Sequence, residues 1–376
     1  MKTVVLAPDS FKGTLSAREV CQWMERGLAR GAPGCRTVWL PVADGGEGTV
    51  EALLLSCGGA RMTAAVQGPF GEPMESVYGM LPDGTAVIEM AACAGLPLAG
   101  PRRDPEKTTT FGVGELFLHA ARHGARRFLV GLGGSATNDG GCGAAAACGA
   151  IFRSSGGEPF VPTGGTLGEI ASIDLTGMDP ILHNKPFTVL CDIDNPLCGE
   201  TGAAAVFGPQ KGADAAMVAR LDAGLRHLAR VWARDVGKDL LLLPGGGAAG
   251  GMGAGMAAFF GGELAPGIDR VLDAAQFEER AKNAALILTG EGCLDGQSLR
   301  GKAVSGVAKR GKALGVPVVA LCGGVQGALD GLYDLGLTAA FSINRLPQPL
   351  SESAPHSGEN LAAVTENLAR VLGLGT

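Results

Sequence analysis

Short β-rich runs that end in polar, glycine-rich loops recur along this 376-residue chain, and that alternation constrains its fold more than any other feature. Thr3 to Ala7 is β-rich, a loop follows over 8–14, and Ser16-x-x-Glu19 has the spacing of a helix capping box. Val20, Trp23, Met24, Gly27 and Leu28 then recur at helical spacing and predict one buried face. A second strand, Thr37 to Val42, runs into Asp44-Gly45-Gly46-Glu47-Gly48 and a helix over 49–55. Strand, loop and helix repeated in this way predict a parallel sheet whose loops gather at the carboxyl ends of its strands.

After Gly59 the texture changes. Arg61 to Val66, Glu75 to Met80 and Thr85 to Met90 read as short antiparallel strands joined by turns, one of them Pro82-Asp83-Gly84. Strands over 128–132 and 187–191 each end in a polar loop, and 214–235 is the longest amphipathic helix pattern. The α/β alternation returns near the C-terminus, with strands over 285–289, 316–322 and 338–343 and helices over 302–314 and 359–372. The predicted fold class is therefore α/β with two domains. Residues 1–60 plus 275–376 form a discontinuous Rossmann-like parallel-sheet domain, and 61–274 form an inserted mixed α/β domain. The active site is expected in the cleft between them. The length fits, because a single core rarely grows this large.

Composition narrows the function classes. With 46% apolar and 18% charged residues the chain is a folded globule, and a net charge of −6 leaves no footprint for nucleic acid or an anionic membrane. Its ten cysteines contain no C-x-x-C pair, and most sit in apolar surroundings, so they read mainly as buried reduced thiols, which favours a reducing, cytoplasmic compartment. The N-terminus reads as a first strand, without a signal-peptide apolar core. The uncharged stretch 240–262 is long enough to raise the question of a membrane span, but Pro244 and its many glycines break a helix and supply little transfer energy.

Four loops carry the chemistry. They are Asp44-Gly45-Gly46-Glu47-Gly48, the run Gly131 to Gly141, Asp192-Ile193-Asp194-Asn195, and Thr289-Gly290-Glu291-Gly292 with Asp295. Glycine amides cradle phosphate oxygens, hydroxyls donate to them, and a carboxylate holds Mg²⁺ or takes a proton. In the second loop Gly133, Gly134, Ser135, Thr137, Asn138 and Asp139 crowd polar groups among glycines. One such loop is often only tight packing; four on one scaffold point to a ligand site.

Neither a Walker A sequence nor a protein-kinase catalytic loop is present. Gly251-Met252-Gly253-Ala254-Gly255 follows no clear strand and reads as helix packing. The histidines, at 119, 123, 183, 227 and 356, lie outside the glycine loops, so a carboxylate or a lysine must do any general-base work. Lys12, Lys211 and Lys302 stand in glycine-containing loops. Lys12, flanked by Asp9, Ser10 and Thr14, reads as an anion contact, and Lys302 begins a helix beside the fourth loop. Glu89 ends a strand.

Together these residues resemble the type-1 glycerate kinase family. The resemblance lies in Ala7-Pro8-Asp9-Ser10-Phe11-Lys12, in Pro41 to Thr49, in Gly133 to Gly141, in Asn195-Pro196-Leu197, in Phe207 to Ala213 and in Thr289 to Gly292. It runs collinearly along nearly the whole chain. Membership implies transfer of phosphate from ATP to D-glycerate, usually to 2-phosphoglycerate, on a two-domain α/β fold with a discontinuous first domain. On that reading Asp192 accepts the glycerate hydroxyl proton and Asp44 with Glu47 supports Mg²⁺. Lys12 and the 133–139 loop stabilise the transferring group, while Ser10, Gly290, Glu291 and Lys302 bind substrate or phosphate. The partners implied are glycerate and ATP, with homo-oligomerisation left open. Cys293 and Gly296 depart from the family pattern, which usually has arginine and serine there. Two other classes stand beside this one. A nicotinamide-dependent oxidoreductase needs a G-x-G-x-x-G first loop, which 8–13 lacks; a sugar-acid sensor needs an output module, and none is visible.

Overall fold

The capping box at Ser16 forms as the spacing predicts. In the computed structural model, which describes residues 2–295 and 302–375, the Ser16 hydroxyl accepts from the Glu19 amide and the Glu19 carboxylate accepts from the Ser16 amide. The helix it starts, Ala17–Gly31, buries Val20, Met24, Gly27 and Leu28. The chain divides into two units. One comprises Met1–Asp44, Glu51–Gly58 and Pro266–Thr376; the other comprises Gly45–Val50 and Gly59–Ala265.

The first unit is built on a five-stranded parallel sheet in the order Leu337–Ser342, Val318–Cys322, Leu286–Thr289, Thr3–Leu6, Arg36–Trp39. Its central strands are buried on both faces and read as continuous apolar runs, as strands covered by helices on both sides do. From Thr3–Leu6 the chain moves to one neighbour, Arg36–Trp39. When it returns to the sheet it starts on the other side, with Leu286–Thr289. The order of strands therefore reverses between Thr3–Leu6 and Leu286–Thr289, which opens a crevice at their carboxyl ends. The helix Ala17–Gly31 packs on Ser357–Val371 at close range, because a Cβ at Gly27 would fall on the Ala362 carbonyl oxygen and one at Gly31 on that of Glu366. Val4, Leu6, Met24, Leu28, Leu286, Leu288 and Leu361 form the core there.

The second unit carries a six-stranded mixed sheet in the order Glu263–Ala265, Phe187–Leu190, Arg127–Gly131, Thr85–Glu89, Pro73–Met80, Ala60–Gln67. The first four strands are parallel; the last two pair antiparallel, as the turn-rich sequence predicts. Phe128 and Phe187 of this sheet stack on each other with Phe117 edge-on to both, and Trp232, Phe259 and Phe152 centre a second cluster. The α/β reading, with a parallel sheet and a mixed one, holds.

Several elements differ in detail from the sequence pattern. The strand expected over 316–322 begins at Val318, because Gly315 turns left-handed (φ 69°) and Val316 still donates to Gly311 at the helix end. The helix expected over 214–235 is α-helical over Ala215–Val231 and widens to a π turn over Trp232–Val236. Within 240–262 the segment Ala248–Phe260 is helical apart from a non-helical kink at residues 249–251, and its Gly255 approaches the Gly140 carbonyl, so that glycine serves close packing. Among the described residues no helix is long and apolar enough to cross a membrane. Cys21, Cys93, Cys142, Cys148 and Cys322 are buried thiols, Cys35, Cys57, Cys191 and Cys198 are half-buried, and Cys293 is exposed.

Candidate active site

In the first unit a cavity of about 590 Å³ opens at the strand-order reversal. The loop after Thr3–Leu6 supplies Asp9, Ser10, Phe11, Lys12 and Thr14; the loop after Leu286–Thr289 supplies Glu291, Gly292, Cys293 and Asp295. Asp44 and Lys302 complete its charged lining. Ser10, Lys12, Asp44, Glu291 and Lys302, separate in sequence, thus meet in one place. Gly290 has another job, since a Cβ there would strike the Leu321 carbonyl oxygen. Gly296 lies outside the described residues.

The electrostatics of this cavity are uneven. Asp9 is 5% exposed and its carboxyl is pushed up to about 7, chiefly by burial and then by the Asp44 charge, with Glu291 adding to it. The Ser10 amide donates to Asp9 Oδ1 at 2.6 Å and Lys12 lies near; both favour the ionised form. Lys12 Nζ stands 3.8 Å from Asp44 Oδ2 with most of its side chain in solvent, and Lys302 Nζ stands 3.8 Å from Asp295 Oδ1. Lys302 is the N-cap of the helix Ala303–Leu314, whose first amides add partial positive charge beside the ammonium. The cavity thus offers two cations, a helix N-terminus and four carboxylates, a set suited to an anion that arrives with a cation of its own.

In the second unit three parallel strands end at one level, Glu89 opposite Gly131 and Gly131 opposite Leu190. The 131–141 loop, Glu89 and the loop bearing Asp192 therefore leave the same edge of the sheet. Residues 45–48 lie across it, because Gly131 and Gly133 have no Cβ to meet Gly45 and Gly46. Glu47 is exposed in that segment, and Asp192 is exposed after Phe187–Leu190. Glu89 Oε1 accepts from the Val50 amide at 2.7 Å, and burial raises its pKa.

Within the loop the polar residues are not on the surface. Thr137, Asn138 and Asp139 are fully buried, and Ser135 is 6% exposed. The Asp139 carboxylate accepts from the Thr110 amide and hydroxyl and from the amides of Gly141 and Gly143. Gly134 is left-handed (φ 74°), and its carbonyl accepts from the Leu96 amide.

Asp9 and Lys211 were not selected by sequence reasoning, although both stand in motifs it singled out. Lysines in loops are mostly solvated, yet Lys211 is 1% exposed and its Nζ donates to the Thr137 carbonyl at 2.7 Å. Burial lowers it to about 7, against the charge of Asp139. The available signal was its position between Pro209 and Gly212, in a short apolar-flanked turn rather than a charged surface run.

Residues 4–373 match the model of the glycerate kinase family. A glycerate kinase of Halalkalibacterium halodurans is 42% identical over 373 residues, covering 99% of this chain and 98% of its own. The glycerate 2-kinase of Escherichia coli K12 is 43% identical over 374 residues, with 99% and 98% covered. Among solved structures, one from Salmonella typhimurium LT2 assigned as a glycerate kinase 2 is 43% identical. It superposes with a TM-score of 0.90 over 100% of this chain and 99% of that one.

Proposed function

Because the chain belongs to the glycerate kinase family and is a kinase, we propose that it transfers the γ-phosphoryl group of ATP to D-glycerate, giving 2-phosphoglycerate and ADP. The observation that carries this reading is the cavity at the strand-order reversal, where Lys12, Lys302 and a helix N-terminus meet buried carboxylates. The choice of the 2-hydroxyl draws support from the relative named glycerate 2-kinase.

The transfer is direct and in line. A glycerate hydroxyl oxygen forms the new bond to the γ-phosphorus as the bond to the β,γ-bridging oxygen breaks, and the hydroxyl proton passes to Asp192. Lys12, mostly in solvent and loosely paired, is free to turn from Asp44 to a phosphate oxygen. Ser10 and Glu291 line the same cavity and orient the bound groups; Gly133, Gly134 and Ser135 contribute backbone and hydroxyl donors. Mg²⁺ fits the donor set: Asp9 is held well above its ordinary value by burial and then by the charges of Asp44 and Glu291, and a cation relieves that crowding of carboxylates. Among the described residues no three-ligand cluster is preformed, and Mg²⁺ usually needs only one or two carboxylates plus the phosphates. Asp44, with Glu47 as the further candidate, would hold it, and the ion would neutralise phosphate charge.

Incubation with ATP, Mg²⁺ and D-glycerate should yield ADP and a phosphorus NMR signal of 2-phosphoglycerate. No glycerate-dependent ADP would defeat the reading, and a 3-phosphoglycerate signal would defeat its regiochemistry. Asp192→Asn should cut turnover about a hundredfold or more with substrate binding retained.

A further inference from the structure

Four buried polar side-chain atoms in the second unit have no partner among the described residues: the Trp232 indole nitrogen and, side by side in one turn, the Thr137 hydroxyl and both ends of the Asn138 carboxamide. Leaving such groups unpaired costs about 1–3 kcal/mol each, and native chains retain them where something else satisfies them. Several groups around the turn are held. The Ala136 amide donates to Ala94, and the Ala136 carbonyl accepts from the Thr108 hydroxyl. Lys211 Nζ takes the Thr137 carbonyl, Asp139 takes four donors, and the Gly140 amide donates to Gly250. A turn tied at the Ala136 amide and carbonyl, the Thr137 carbonyl and the Gly140 amide, with these side-chain heads unsatisfied, is organised for a ligand.

The chemistry of that ligand follows from the unpaired atoms. A carboxamide presents a donor and an acceptor whichever way it is turned, and a hydroxyl offers either. A phosphate would satisfy donors and leave the carboxamide oxygen without one. A carboxylate next to an alcohol satisfies both.

We propose that Lys211 is a positioning residue for the 135–139 turn, and that the Thr137 hydroxyl and Asn138 carboxamide it holds in place receive the carboxylate and hydroxyl groups of the hydroxy acid. This assignment rests on the kinase function above. Lys211 acts through the Thr137 carbonyl, and among the described residues the charge that bears on it is that of Asp139, itself fixed by Thr110, Gly141 and Gly143. The wall over the pair includes residues 249–251, left-handed in succession at φ 54°, 69° and 87°. Gly250 lies so close that a Cβ would fall on the Thr137 carbonyl oxygen. Ala249 is strained in that conformation, which makes the segment the part of the cover with energy to release on opening.

Steady-state kinetics of wild type, Asn138→Leu, Thr137→Val and Lys211→Met, with melting curves alongside, test the assignment. Asn138→Leu keeps the shape and removes both unpaired atoms. It should leave the melting point unchanged or higher, raise the KM for D-glycerate roughly ten- to hundredfold, and change the KM for ATP less than about twofold. Thr137→Val should do the same to a smaller degree. Lys211→Met should lower kcat/KM for glycerate about tenfold or more with the KM for ATP kept; should it fail to fold, Asn138→Leu decides. An unchanged glycerate KM in Asn138→Leu, or equal losses for both substrates, overturns the assignment while wild-type turnover leaves the kinase reading standing. Wild-type protein inactive on glycerate overturns the kinase reading and this inference with it.

Discussion

Asp9→Asn should make the protein more stable at pH 7 and above, an unusual sign for a change at a charged residue lining the candidate site. The carboxyl ordinarily ionises near 3.8 and in the folded protein near 7. Between those values the folded state keeps a proton that the unfolded chain has released, so unfolding releases protons and rising pH favours it. Each pH unit in that window costs about 1.4 kcal/mol. From pH 5 to pH 7 the wild type should therefore lose about 2–3 kcal/mol relative to the asparagine variant, and the gap should level off by about pH 8. Asparagine keeps the shape and the oxygen that accepts from Ser10, so little else changes. Urea unfolding followed by tryptophan fluorescence at pH 5, 6, 7 and 8 measures the gap, because Trp23 and Trp39 belong to the same unit as Asp9. The buffer should contain a chelator, since a bound cation would favour the ionised carboxylate. A stability difference that does not vary with pH, or that shrinks as pH rises, would refute the claim that burial beside Asp44 and Glu291 holds this proton.

Three further perturbations separate packing from chemistry. Gly27→Ala should destabilise by about 1–3 kcal/mol in urea despite alanine's better helix propensity, because the new methyl meets the Ala362 carbonyl; a stabilised variant would mean the two helices can move apart. Lys12→Met should change stability by no more than about 0.5 kcal/mol, as exposed pairs do, yet reduce kcat/KM tenfold or more; loss of stability with full activity would reverse the assignment. Asp139→Asn should cost about 3 kcal/mol or more in the same urea titration, since an amide nitrogen would face donors now satisfied by a carboxylate. A loss under about 1 kcal/mol there would indicate that the turn is held by other contacts.

Local order was legible in the sequence wherever a few neighbouring residues decide it. The Ser16 and Glu19 cap, the turn at Gly84, the antiparallel strands from Ala60 and the polar loops after each parallel strand all follow from short-range pattern. The collinear motifs from Asp9 to Gly292 also carried the family. What those motifs could not express was which loops meet. The crevice exists because Leu286–Thr289 pairs with Thr3–Leu6 across some 280 residues, and strand order has no signature in local periodicity. Asp9 acquires its raised pKa from burial and then from Asp44 and Glu291, and Lys211 loses its solvent to a turn formed far upstream of it. Residue type and spacing are properties of the chain, whereas desolvation and charge–charge energy depend on distances that exist only after folding.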